Sequence, residues 1–307
     1  MFELKSFLKG WDRFFFSETD ASGLCLFRIF LGAFLILNGL SLIEDFAYWY
    51  GVDESALVPL KESLRFYSNM RINLFKWLPP TETSAWVILW GYIVASVTFT
   101  IGYHTRFSAF MSFILLVSLQ NRNYAILNSG DTLMRCMLFL MIFAPGHAKF
   151  SVDALNERKR GASYKSQVSI LPIRLLQLQF SLVYLATTLF KLKGLDWVDG
   201  TAVYYTSRLV NFQRFVIPYV FDTPFLIKLA TWSALLIEFS MGSIIWIREF
   251  RIWVLISGIL LHLIIEVSMS IGLFEWIMMA SYILFLEPRE LEWIQQRLRH
   301  IFYLRSA

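Results

Sequence analysis

The chain has 307 residues, of which 57% are apolar and only 17% charged, where an ordinary globular domain has roughly a quarter charged. That balance excludes disordered, collagen-like and soluble-enzyme classes, and the net charge of +5 is no nucleic-acid signal because most basic residues flank apolar runs. The two cysteines, Cys25 and Cys136, both lie inside apolar runs, which excludes a disulfide framework, a zinc site and a CxxC redox pair.

At the start of the chain Phe2, Leu4, Phe7, Leu8, Trp11, Phe14 and Phe15 recur at helical spacing. They predict an interfacial amphipathic helix within 1–21 rather than a cleavable signal. Eight apolar runs follow, at 22–43, 84–103, 107–121, 129–145, 171–192, 224–247, 252–268 and 270–287; a run of about 20 such residues crosses the hydrocarbon core as a helix. The third and fourth meet through Gln120–Asn123 and Asp131, and the last two break at Ser270-Ile271-Gly272. A second interfacial helix is predicted from Leu291 to Leu304. The expected fold is all-α: a polytopic membrane domain, 22–287, of about eight transmembrane helices, flanked by amphipathic helices at 1–21 and 288–307.

Loop charge sets the orientation. With the N-terminus inside, the cytoplasmic segments 1–21, 104–106, 146–170, 248–251 and 288–307 hold 15 Lys and Arg, and the opposite side holds 7. Both termini are therefore expected in the cytoplasm, in a bacterial plasma membrane. Two long outer segments, 44–83 and 194–223, carry Tyr48-Trp49-Tyr50, Trp197, Tyr204, Tyr205, Phe212 and Phe215. They are too aromatic for plain linkers and are expected to form short helices roofing an outer polar cavity, while 153–167 reads as a solvated basic loop.

A charged side chain at mid-bilayer costs at least ~2.5–3.5 kcal/mol, so each needs a partner or a purpose. Asp131 and Arg135 are four apart and are expected to pair within their span. Arg28, Arg174 and Lys228 lie near span ends, where snorkelling is expected. His262 and Glu266 are also four apart, with Glu275 early in the next span; a carboxylate beside a histidine orients it for proton handling. Glu238, mid-span, has no helical partner and reads as a cavity-facing carboxylate. The span map turns Asn121, Arg122, Asn123, Asn128, Asp131, Lys191, Lys193, His262, Glu266 and Glu275 toward one leaflet. Such a cluster suits an anionic or redox-active head group, or a lysine acting as a base.

Several strings point further: Leu26-Phe27-Arg28, Gly102-Tyr103-His104-Thr105-Arg106, Asn121-Arg122-Asn123, Leu127-Asn128-Ser129-Gly130-Asp131, and Lys191-Leu192-Lys193-Gly194-Leu195-Asp196-Trp197-Val198-Asp199-Gly200-Thr201-Ala202-Val203-Tyr204. With the His262 span and Ser270-Ile271-Gly272-Leu273-Phe274, they resemble the HTTM family over about 20–287. This is the membrane domain shared by vitamin K-dependent gamma-glutamyl carboxylases and many bacterial proteins. The resemblance implies a reduced, vitamin K-like quinone as cofactor, no metal, and a lysine whose chemistry yields a strong base that deprotonates a substrate glutamate. The carboxylases have adjacent lysines; here Lys191 matches the first, Leu192 falls where the catalytic second belongs, and Lys191 or Lys193 is expected to take over. His262 matches a histidine of the carboxylases.

On this reading Lys191, Lys193, His262 and Glu266 are catalytic, and Asn121, Arg122, Asn123, Asp131, Trp197 and Tyr204 hold the cofactor. The match leaves out the lumenal domain that binds a propeptide in the carboxylases. The expected partners are therefore membrane lipid, a secreted peptide or protein substrate and a separate partner protein, with no nucleic acid. Other bare members of the family include a maturation protein for a sporulation-delaying antibacterial peptide. They supply a second class, a maturation factor without chemistry of its own, for which the outer aromatics matter most. A lipid or small-molecule transporter ranks below both, since it rests on Glu238 and His262 and no inverted repeat is visible.

Overall fold

The computed structural model describes residues 2–66, 71–161, 166–216, 218 and 222–305. Parts of the two outer segments (67–70, 217, 219–221) and of the basic loop (162–165) lie outside the described residues, as do the side chains of 2–4, 66 and 298–305. The chain divides into two compact units, Met1–Leu175 with Leu286–Ala307, and Leu176–Phe285.

In the first unit, helix α1 (Phe2–Phe16) leads into strand β1 (Glu18–Asp20), which pairs antiparallel with β2 (Gln167–Ser169). Helix α2 (Ser22–Ser41) starts where Asp20 Oδ1 accepts the Ser22 N–H at 2.8 Å. The aromatic segment that follows holds α3 (Phe46–Tyr50), α4 (Leu60–Phe66) and a 3-10 turn at Leu74–Lys76, the short helices expected there. Helix α5 (Glu82–Ile101), opened by a Thr81 cap on the Ser84 N–H at 3.2 Å, packs against α2 and α6 (Thr105–Arg122), and α6 against α7 (Ser129–Phe143). Leu24, Phe27, Leu31 and Leu35 of α2, with Leu89, Tyr92 and Phe99 of α5, form the buried seam.

The α5–α6 turn accounts for the Gly102–Arg106 string. Gly102 closes α5 at φ 72°, and a Cβ there would stand 2.2 Å from Arg28 Nη1 and 2.4 Å from Ser151 Cβ. Arg28 does not snorkel: it is fully buried and donates to the Gly146 carbonyl at 2.9 Å and the Phe150 carbonyl at 2.5 Å. Helix α8 (Val152–Lys159) presents Asp153, whose carboxylate accepts from the His104 and Thr105 N–H groups and the Thr105 hydroxyl, each at 2.8 Å, and so caps α6. Helix α9 (Leu171–Lys191) begins in this unit, with Arg174 stacked 4.2 Å over the Phe14 ring.

The second unit takes most of α9, then the short α10 (Leu195–Val198) and α11 (Ala202–Thr206), which occupy the second aromatic segment. Helices α12 (Pro224–Gly242) and α13 (Arg248–Ser268) form a hairpin through a 3-10 turn at Ile244–Trp246. Helix α14 (Phe274–Ser281) runs on as a 3-10 turn at Tyr282–Phe285 and packs on α13. The last helix, α15 (Pro288–Arg305), belongs to the first unit.

Burial is arranged the opposite way from a water-soluble domain. Phe225, Leu229, Trp232, Leu236 and Phe239 make an exposed apolar face on α12, and Trp253, Leu260, Ile264 and Val267 make one on α13, while Glu238 and His262 point inward. Apolar faces of that extent need lipid or protein against them. Among the described residues five helices, α2, α5, α9, α12 and α13, are long and apolar enough to cross a membrane. The other three predicted spans are helical at α6, α7 and α14 but are shorter or more polar.

Candidate functional site

The costliest side chains of the second unit are brought together on α9, α12, α13 and α14. His262 does not pair with Glu266, as its four-residue spacing suggested. Its Nδ1 meets Glu275 Oε2, and its Nε2 hydrogen-bonds the Tyr184 hydroxyl at 2.5 Å. An ionised carboxylate only accepts, so with Glu275 ionised and the imidazole neutral the ring proton is on Nδ1 and Nε2 is the acceptor of the Tyr184 O–H. The Tyr282 hydroxyl closes the chain 3.2 Å from that of Tyr184. Tyr184, His262 and Tyr282 are each 4% exposed and Glu275 is 1% exposed, so water cannot satisfy them. Gly258, one turn before His262, makes the room: a Cβ there would lie 2.6 Å from the Tyr282 hydroxyl.

Glu266 is bound instead to Arg214, at 2.7 Å, and Arg214 also donates to the Met269 carbonyl at 3.0 Å. Together with the Gln213–Met269 bridge, this fastens the second aromatic segment to the end of α13. Glu238, expected to face a cavity alone, has a partner across the helices: Lys191 Nζ stands 2.5 Å from its Oε1. The Lys-x-x-x-x-Asp-Trp string places a ring on the same ammonium group. Gly194 N–H bonds the Lys191 carbonyl at 2.9 Å, α10 turns back, and Lys191 Nζ lies 4.3 Å from the centre of the Trp197 ring, a cation–π contact. Two polar atoms here are buried without a hydrogen-bond partner, Glu238 Oε2 and Thr188 Oγ1. Lys193 is exposed and lies 5.1 Å over the Phe190 ring, and Tyr204 carries the Arg208 guanidinium 4.0 Å above its ring.

The remaining predicted residues sit in the first unit. Asn121 donates to the Ile72 carbonyl and Asn123 to that of Trp49, both at 2.7 Å. Arg122 donates to the carbonyls of Val58, at 2.8 Å, and Gly51. All three side chains pin the first aromatic segment onto the end of α6. Asp131 makes no ion pair with Arg135; its carboxylate accepts the Asn128 N–H at 2.9 Å in a capping box that starts α7. Among the described residues no cluster of His, Cys, Asp and Glu could hold a metal ion.

Tyr184, Thr188 and Tyr282 went unnoticed in the sequence. A signal was there: Gln177, Ser181, Tyr184, Thr188 and Lys191 alternate four and three apart along α9, which places them on one helix face. Gln177 donates to the Leu284 carbonyl at 2.7 Å and Ser181 Oγ accepts from the Trp246 ring N–H at 3.0 Å, so the whole stripe is turned inward.

Apolar faces outside and an ionisable cluster inside define a helical, polytopic membrane protein with a buried Tyr–His–Glu network and a cation–carboxylate pair. The chain belongs to the HTTM family: the HTTM domain matches residues 16–293. Among curated proteins it is similar to the uncharacterized protein YitO of Bacillus subtilis (strain 168), 26% identical over 71% of this chain and 68% of that protein. It is also similar to the sporulation-delaying protein SdpB of the same organism, 24% identical over 66% of this chain and 65% of that protein. No solved structure matches it.

Proposed function

We propose that this HTTM protein modifies a secreted peptide or protein at the extracytoplasmic side of a bacterial plasma membrane, with a reduced, vitamin K-like quinone as cofactor. It crosses the membrane eight times with both termini cytoplasmic, α1 and α15 lying at the interface, and a separate partner protein supplies substrate recognition. The observation that carries this reading is the Lys191–Glu238 pair beside Trp197, with Glu238 Oε2 and Thr188 Oγ1 buried and unpartnered.

These residues fit a quinone: Trp197 offers a ring face, Thr188 a hydroxyl donor and Glu238 a free acceptor oxygen for the ring oxygens. A bound reduced quinone supplies reducing equivalents and, through them, a strong base. Lys191 orients at the mouth of the site, and any proton it gives up has Glu238 as the acceptor in contact. Between the two lysines, contact with a carboxylate favours Lys191 over Lys193. His262 holds or returns a proton at Nε2, while Glu275 fixes its ring.

The test is mass spectrometry of small molecules that co-purify with the detergent-extracted protein. A quinone is expected in the wild type and lost from Lys191→Met; ordinary phospholipid alone in both overturns the cofactor assignment. That result would favour the second reading, a maturation factor without chemistry of its own, acting with a partner as the sporulation-delaying relative's name suggests. The exposed Leu209, Val210, Phe212, Phe215 and Val216 support it as a docking rim.

A further inference from the structure

The polar stripe of α9 carries a member of each of two networks, and Thr188 stands between those members along the helix. Tyr184, in the His262–Glu275 chain, lies four residues before Thr188, and Lys191, paired with Glu238, lies three after it. Residues at those spacings lie on one helix face with their Cβ atoms about 5–6 Å apart, and ordered water can join polar groups held on one face. The Thr188 side chain is the anomaly of the stripe. Ser96, Thr100, Thr231, Ser240 and Ser281 each donate to the carbonyl four residues back on their own helix, at 2.6–2.9 Å. Thr188 is 3% exposed and its Oγ1 has no partner at all. A buried hydroxyl forgoing the bond open to every helical Thr costs stability. Glu238 Oε2 is likewise buried and unpartnered.

We propose that this stripe is a proton path, with Thr188 as the link between Lys191–Glu238 at its mouth and Tyr184–His262–Glu275 at its inner end. In one passage each hydroxyl accepts a proton on one side and releases its own on the other. Thr188 and Tyr184 therefore end unchanged in charge, and the net proton passes between the Glu238 carboxylate and His262 Nε2. The path deepens the proposed function, in which a proton given up by Lys191 to Glu238 must be carried away, and rests on that reading only for the use made of the proton.

The link is tested by proton exchange at His262, without a bound cofactor or a turnover assay. The full-length protein, labelled with [15N]histidine and placed in lipid nanodiscs, is moved into deuterated buffer and followed by NMR. The chain has four histidines, and the His262 signal is the one absent from His262→Gln. Thr188→Val is expected to slow deuteration of the His262 ring, in which a deuteron delivered to Nε2 lets the Nδ1 proton leave toward Glu275, on the order of tenfold or more, as loss of a positioned transfer group does. Thr188→Ser should restore the wild-type rate, and Lys191→Met, which removes the mouth, should slow exchange as Thr188→Val does. Exchange unchanged in Thr188→Val overturns the link. Faster exchange also overturns it, because a packing defect admits solvent while a broken path excludes it. Slow exchange that serine fails to rescue overturns it as well. The rates are read on protein freed of any co-purifying quinone, which would otherwise occupy Thr188 and Glu238 Oε2, so the path can fail while the cofactor reading stands, and the reverse.

Discussion

Arg122 and Arg28 show how one residue type serves the fold inside an apolar domain. Each is fully buried, each spends both terminal nitrogens on backbone carbonyls, and each leaves Nε without a partner. A planar guanidinium reaches two carbonyls of one segment at once, as a single ammonium cannot. Arg122→Lys should therefore keep the charge and lose one of the two bonds, costing about 1.5–3 kcal/mol, as a hydrogen bond to a charged group does. The fall would be read as a lower Tm in detergent, together with faster protease cleavage within residues 44–66, the segment the side chain holds. An unaltered Tm with unaltered cleavage would return Arg122 to the cofactor-binding role its position in the chain suggested.

At the scale of elements, the end of one helix is often finished by a residue far along the chain. Asp153 caps α6 from 48 residues away. Burial alone would raise its carboxyl, but hydrogen bonds from the Thr105 N–H and hydroxyl and the His104 N–H outweigh that and hold it below the usual carboxylate range. A depressed folded value means the cap is at full strength above the unfolded value, about 3.9, and is lost as pH falls through the folded one. Asp153→Asn, which keeps one acceptor oxygen of the two, should lower stability at neutral pH by roughly 1 kcal/mol, the net worth of a lost hydrogen bond. The gap between wild type and variant should then close as thermal melts are run from pH 7 down to pH below about 4. A gap that stays constant with pH would mean that the carboxylate charge does not hold α6. Such partners explain what the sequence shows and what it hides. Helices at all eight apolar runs were legible because hydrophobicity is a local property. Pairings were not legible: spacing of four pointed Asp131 at Arg135, but its carboxylate turns back to the Asn128 N–H, and Lys191–Glu238 and Arg214–Glu266 join residues 47 and 52 apart. Spacing of four pointed His262 at Glu266, but Glu275 enters from the next helix and takes Nδ1.

At the scale of the whole molecule the open quantity is parity. The five long apolar helices and the full set of eight predict opposite sides for particular residues, although both start with the N-terminus inside. Counting eight, residues 123–128 between α6 and α7 face outside and α15 lies inside. Counting five, neither α6 nor α7 crosses, so 123–128 stay inside, and α15 ends outside after the odd number of crossings. Both schemes put Glu54 outside and Glu157 inside, which makes those positions controls. Excess positive charge on α15, which carries four arginines, argues for the inside. The buried Asn121–Asn123 end of α6 is held by carbonyls of the first aromatic segment, so α6 must reach the side on which that segment lies. Single cysteines placed at Ala125 and Glu292, both exposed, in a background with Cys25 and Cys136 replaced by alanine, decide the count with a membrane-impermeant thiol reagent on intact cells. Labelling of Ala125→Cys and protection of Glu292→Cys is the expected pattern. The reverse pattern would leave α6 and α7 as a hairpin on the cytoplasmic side and move the site's mouth relative to both ends of the chain.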